Sequence, residues 1–69
     1  MLFDVIAGAF AQRRKTLLNS LSSYFSWVSK ERIGQIITES GFDMGVRGEK
    51  LSVADFCTLA DAFYKEKNN

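Results

Sequence analysis

The 69-residue sequence has no histidine and a single cysteine, Cys57. The usual zinc sites and imidazole acid–base chemistry are therefore excluded, and one cysteine cannot close an intrachain disulfide. A reducing, cytoplasmic setting is the expectation. No long uncharged run is present either. The apolar start from Met1 to Phe10 is short, carries Asp4 and lacks a basic beginning, so it reads poorly as a signal peptide or a membrane span. Nucleophilic catalysis lacks its parts as well, because serine and cysteine have no histidine base and the carboxylates are scattered. Cys57 falls within an amphipathic pattern, where a small core residue is expected. No catalytic residue, metal site or cofactor site is expected in this chain.

What is present suits one small folded unit. Hydrophobic residues make up 46% of the chain, with six Phe, two Tyr and one Trp, which is enough for a single core. A chain of this size buries only ~60% of the surface exposed on unfolding, so its stability is expected to be modest. Nine Lys and Arg stand against eight Asp and Glu, and the net charge of +1 does not by itself indicate nucleic acid. Only local clustering could.

Leu2, Val5, Ile6, Ala9 and Phe10 repeat at three- and four-residue spacing, which predicts a first helix over 2–12 with Asp4 well placed against its dipole. An apolar beginning of this kind also fits a domain cut from a longer chain. Three consecutive cations follow, within Phe10-Ala11-Gln12-Arg13-Arg14-Lys15-Thr16-Leu17-Leu18-Asn19-Ser20-Leu21. In an unbroken helix, positions 13, 14, 17 and 21 would point within about 60° of one direction, setting both arginines beside Leu17 and Leu21. Gln12, Lys15, Asn19 and Ser23 would form an opposite, polar face. Two arrangements fit. Either one helix continues and bends at the cations, or the helix breaks and Thr16 caps a second one from Leu17 to about Tyr24, its hydroxyl reaching the amide near Asn19. The break is adopted here.

The run from Ser20 to Ser29 mixes serines with Tyr24, Phe25 and Trp27 without a clean period. It is expected to fold its rings over the core rather than to form an RNA-stacking platform. Ser29 reads as the cap of a helix carrying Ile33, Ile36 and Ile37, and Gly41 followed by Phe42 as its left-handed terminator. Residues 43–50 read as a loop, with Arg47-Gly48-Glu49 acting as an ion pair or clamp. Their glycines match neither a phosphate loop nor a dinucleotide fingerprint. Ser52 and Asp55 predict a variant capping box, Leu51 and Phe56 a hydrophobic staple, and Phe56, Leu59, Ala60 and Phe63 the buried face of a last helix. No stretch alternates with period two. The expected fold class is all-α, a small bundle of four or five short helices without a sheet.

The cationic run is the one feature with a ready ligand, since Lys and Arg neutralise phosphates while Gln and Asn can bond sugar or phosphate oxygens. In its order and spacing, Phe10 to Leu21, followed by Gly41-Phe42-Asp43, Arg47-Gly48-Glu49 and Leu51 to Ala60, resembles the C-terminal domain of the ribosomal RNA adenine dimethyltransferases. The resemblance covers nearly the whole chain and is closer to the bacterial small-subunit enzymes than to the erythromycin-resistance methylases. Phe10 to Leu21 is its more specific half.

That resemblance implies a parent enzyme whose N-terminal Rossmann-like domain binds S-adenosylmethionine and dimethylates two adjacent adenosines of small-subunit ribosomal RNA. This chain, 1–69, would be the helical domain that engages the RNA. It contains neither the glycine-rich cofactor motif nor the Asn-Leu-Pro-Tyr type catalytic motif of the family. The expected RNA-binding residues are Gln12, Arg13, Arg14, Lys15 and Asn19, with one arginine serving the fold through an internal partner such as Glu49. The expected partners are small-subunit ribosomal RNA and the methyltransferase domain, with no membrane, and the expected state is a monomer. The alternative is a structural domain that packs on the methyltransferase domain and shapes its cleft with little RNA contact. Gly48 stands where the family often has a larger residue such as Ala, which is expected to loosen the loop.

Overall fold

Each helix begins or ends where a side chain supplies the hydrogen bond that the backbone lacks. The computed structural model describes residues 1–12 and 14–68 and is built from four α-helices. These are α1 (Leu2–Phe10), α2 (Leu17–Tyr24), α3 (Lys30–Glu39) and α4 (Val53–Lys67), with a 3-10 turn at Gly48–Lys50. No strand occurs among the described residues. No helix among them is long and apolar enough to cross a membrane.

Helix α2 starts on Thr16, whose hydroxyl accepts the Asn19 N–H at 3.3 Å, and α3 starts on Ser29, which accepts the Arg32 N–H at 3.2 Å. Helix α4 has the full capping box: Ser52 Oγ accepts the Asp55 N–H at 3.2 Å, and the Asp55 carboxylate accepts the Ser52 N–H at 2.9 Å. Leu51 packs against the core in which Phe56 is buried. Helix α3 ends in a Schellman motif. Phe42 N–H reaches the Ile37 carbonyl at 3.1 Å and Gly41 N–H that of Thr38 at 3.0 Å, while Gly41 takes φ +93°, a value that other residues rarely adopt.

Helix α1 ends two residues earlier than its apolar pattern predicts, and the cause is Ser20. In a continuing helix Gln12 N–H would bond the Gly8 carbonyl four residues back. The Ser20 hydroxyl, fully buried, occupies that space: it donates to the Gly8 carbonyl and accepts the Gln12 N–H at 3.2 Å. Ala11 still has helical dihedrals, and the side chain inserted into the ladder ends α1 after it, separating α1 from α2. Gly8 makes the approach possible, because a Cβ there would lie 3.0 Å from the Tyr24 ring and 3.1 Å from Leu21.

Helix α1 packs on α2 and α4, α2 on α3, and α3 on α4, closing a ring around one core. Val5, Leu17, Leu21, Ile33, Ile37, Leu59 and Phe63 are wholly inaccessible at its centre. The segment between α2 and α3 divides its rings. Phe25 is buried and stacked on Phe63, with centroids 5.0 Å apart, and Val28 is buried beside it. Tyr24 and Trp27 pack edge-on against Phe25 yet remain half exposed. Folding back over the core thus holds for Phe25 and in part for its neighbours. Cys57 is exposed, contrary to the expectation of a core position, because the buried stripe of α4 runs through Phe56, Leu59, Ala60 and Phe63. One position from Phe56 is a rotation of about 100°, enough to carry Cys57 off that stripe.

Candidate nucleic-acid interface

The link between α1 and α2 is held by one backbone bond and one bond to a side chain. Lys15 N–H donates to the Gln12 carbonyl at 3.0 Å, forming a tight reversal, and Gln12 N–H is anchored on Ser20. Gln12, Arg14 and Lys15 are exposed there, and Asn19 is half-buried in the first turn of α2. Arg13, the remaining expected contact residue, lies outside the described residues. The break removes the continuous helical face that would have set Arg14 beside Leu17 and Leu21. Arg14 is exposed, and among the described residues the ion pairs involve Arg32 alone, so the expected internal partner is absent for Arg14.

The sequence did not indicate what lies beside this reversal. Leu17 N–H, the first amide of α2, donates to the Val46 carbonyl at 2.8 Å. Gly48 is buried against Ala9 near the end of α1; a Cβ on it would lie 3.3 Å from both the Cβ and the carbonyl oxygen of Ala9. These two contacts bracket Arg47, an exposed residue, and tie its segment to the start of α2 and the end of α1. Arg47 and Glu49 form no ion pair, contrary to the expected clamp; the clamp is the Gly48 backbone seated on α1. Glycine here permits close seating instead of loosening the loop.

Between these segments lies a cavity of about 250 Å³ lined by Ala9, Phe10, Gly48 and Glu49. The Phe10 ring leans on Phe56 at 5.9 Å and stays 41% exposed. Two other depressions lie away from the cationic reversal. One, of about 400 Å³, is a mainly apolar groove between α1 and α4 lined by Met1, Leu2, Cys57, Ala60, Asp61 and Tyr64. The other, of about 500 Å³, lies between α3 and α4, where Arg32 reaches across. Arg32 Nε donates to the Glu66 carboxylate at 2.8 Å, and its Nη1 donates to Gln35 at 3.0 Å. The Glu66 hydrogen bond is the main reason that the Arg32 pKa is raised, and the cation therefore serves the α3–α4 contact. Among the described residues no three Cys, Asp or Glu gather as metal ligands.

Chemically, the reversal and the adjoining loop offer exposed cations to an anionic polymer, with Gln12 and Asn19 as neutral hydrogen-bonding groups beside them. No family model matches the chain. Among curated proteins it is 43% identical over 67 residues to ribosomal RNA small subunit methyltransferase A of Bacillus thuringiensis (strain Al Hakam), a match covering 94% of this chain. The proteins of the same name from Bacillus mycoides (strain KBAB4) and Bacillus cereus (strain B4264) match at the same identity and coverage. Over nearly its whole length the chain is thus similar to part of the small-subunit ribosomal RNA methyltransferases of that name. It spans 23% of the length of these relatives. This similarity agrees with the resemblance carried by Phe10 to Leu21 and by the segments from Gly41 to Ala60.

Two residues that matter to the site escaped sequence reasoning. Ser20 did have a signal, since 17, 20, 21 and 24 share one helical face, and a serine on an apolar face needs a partner. Arg47 had none, because its position depends on a bond between residues 29 apart.

Proposed function

We propose that this domain is the RNA-recognition module of an S-adenosylmethionine-dependent methyltransferase that dimethylates two adjacent adenosines of small-subunit ribosomal RNA. The observation that carries this reading is that Arg14, Lys15 and Arg47, on segments joined by the Leu17–Val46 bond, are all exposed and none is paired with a carboxylate among the described residues. Cations left free of internal partners can each neutralise a phosphate. Arg13 adjoins Arg14 in sequence, and Gln12 and Asn19 flank the cations. On this reading a Rossmann-like domain of the parent protein binds the cofactor and performs the methyl transfer, in the cytoplasm and as a monomer. The 69-residue domain contributes binding alone. Titration of the chain with a small-subunit RNA hairpin at low and moderate salt is the test. Saturable binding that weakens steeply with salt is expected, and salt-insensitive or absent binding contradicts the proposal. Calorimetric titration with S-adenosylmethionine should give no saturable heat.

A second role has its own support. Phe3 on α1 is 85% exposed, and Tyr64 on the apolar groove between α1 and α4 is 59% exposed. Apolar side chains exposed together mark a contact surface. This groove is a seat for the methyltransferase portion of a longer protein, at the opposite end of α1 from the cations. Hydrogen exchange of α1 and α4 in such a protein, compared with this chain alone, would report it through added protection.

A further inference from the structure

We propose that the cavity between Ala9, Phe10, Gly48 and Glu49 receives one unpaired guanine base of the bound RNA. This inference rests on the RNA-binding reading above and adds a base preference to it. At about 250 Å³ the cavity falls below the roughly 300–1,000 Å³ of pockets that enclose drug-sized ligands, so it suits a single planar ring system. Its wall is aromatic. Phe10 is held by its contact with Phe56 while 41% of it remains exposed, which is how unstacked bases are usually received by single-strand RNA binders. Its floor is Gly48, where any side chain would be forced against Ala9 only 3.3 Å away.

The chemistry of the rim selects the base. Glu49 is exposed and has no ion pair among the described residues, although Arg14, Lys15, Arg47 and Lys50 stand in the neighbouring segments. A carboxylate can only accept hydrogen bonds, and it repels phosphate. Within a cationic patch it therefore favours a base edge that presents two adjacent donors. Guanine offers these through N1–H and the N2 amino group. The Watson–Crick edges of adenine, cytosine and uracil each set a donor beside an acceptor. The surrounding cations would hold the phosphates on either side of the extruded nucleotide.

The test uses one RNA stem carrying a single-nucleotide bulge of G, A or inosine, together with its fully paired form, titrated against the 69-residue chain at low and at moderate salt. The G bulge is expected to bind on the order of ten-fold more tightly than the A bulge, the size of one good bidentate base contact. Inosine, which lacks the N2 amino group, should fall between them. Glu49→Gln should erase the preference for G. Phe10→Leu should weaken every bulged stem while leaving the paired stem as before, and thermal unfolding of each variant would show whether the fold survives. Salt-sensitive binding that is equal for all bulges would overturn this inference and leave the RNA-binding reading standing. No salt-sensitive binding to any of the stems would overturn both.

Discussion

The Gln12 amide donates to the buried hydroxyl of Ser20 at 3.2 Å, although the two residues lie on different sides of the cationic reversal. The Ser20 proton goes in turn to the Gly8 carbonyl, so one side chain ends α1 and ties it to α2. The position of the cations depends on this tie. Ser20→Ala leaves the Gln12 N–H, in a part-buried site, and part of the buried Gly8 carbonyl without a partner, at a cost of about 1–3 kcal/mol. For a domain of this size each kcal/mol lowers the melting temperature by roughly 4–8 °C. Thermal unfolding of Ser20→Ala should therefore show a loss well outside error, and an unchanged midpoint would remove Ser20 from this role.

The last helix allows a ranking of two contributions. Ser52→Ala removes one half of the capping box and should cost ~1 kcal/mol, whereas Phe56→Ala opens a cavity beside Phe10 and should cost ~3 to 5 kcal/mol. Urea unfolding of both variants measures the difference. Equal midpoints would mean that α4 is not docked through Phe56.

Cys57 tests the orientation of the same helix from its outer side. Because the thiol is exposed, Cys57→Ser should change stability by less than about 0.5 kcal/mol. An aromatic disulfide reagent should titrate the thiol in the folded protein without denaturant. A thiol that reacts only after unfolding would contradict the assigned face.

Where local chemistry decides an element, the sequence was sufficient. Thr16, Ser29 and Ser52 each cap the helix predicted from them, and Gly41 ends α3 in the conformation that its type suggests. The four buried residues of α4 follow from spacing alone. The site was less legible, because it is assembled by contacts distant in sequence. The Leu17–Val46 bond brings in Arg47, Gly48 seats on Ala9, and Ser20 reaches back across the reversal to Gly8. Periodicity also misled at Arg14. It places the residue beside Leu17 only if the helix is continuous, and the helix is broken. For Cys57 the pattern located the right helix, but a residue next to the apolar stripe could be assigned to either side of it.

The central claim is that the reversal and its neighbouring loop meet RNA through phosphates, using cations the fold does not need. Its most direct measurement is the slope of log affinity against log salt for a small-subunit RNA hairpin, compared across Arg14→Gln, Lys15→Gln and Arg47→Gln. Each substitution should weaken binding and make the slope shallower by roughly 0.7 to 0.9, the share of one lost phosphate contact. Melting temperatures should match the parent, because all three side chains are exposed and unpaired with any described carboxylate. Unchanged affinity and slope in all three variants would contradict the account and leave packing against a methyltransferase domain as the function of this fold.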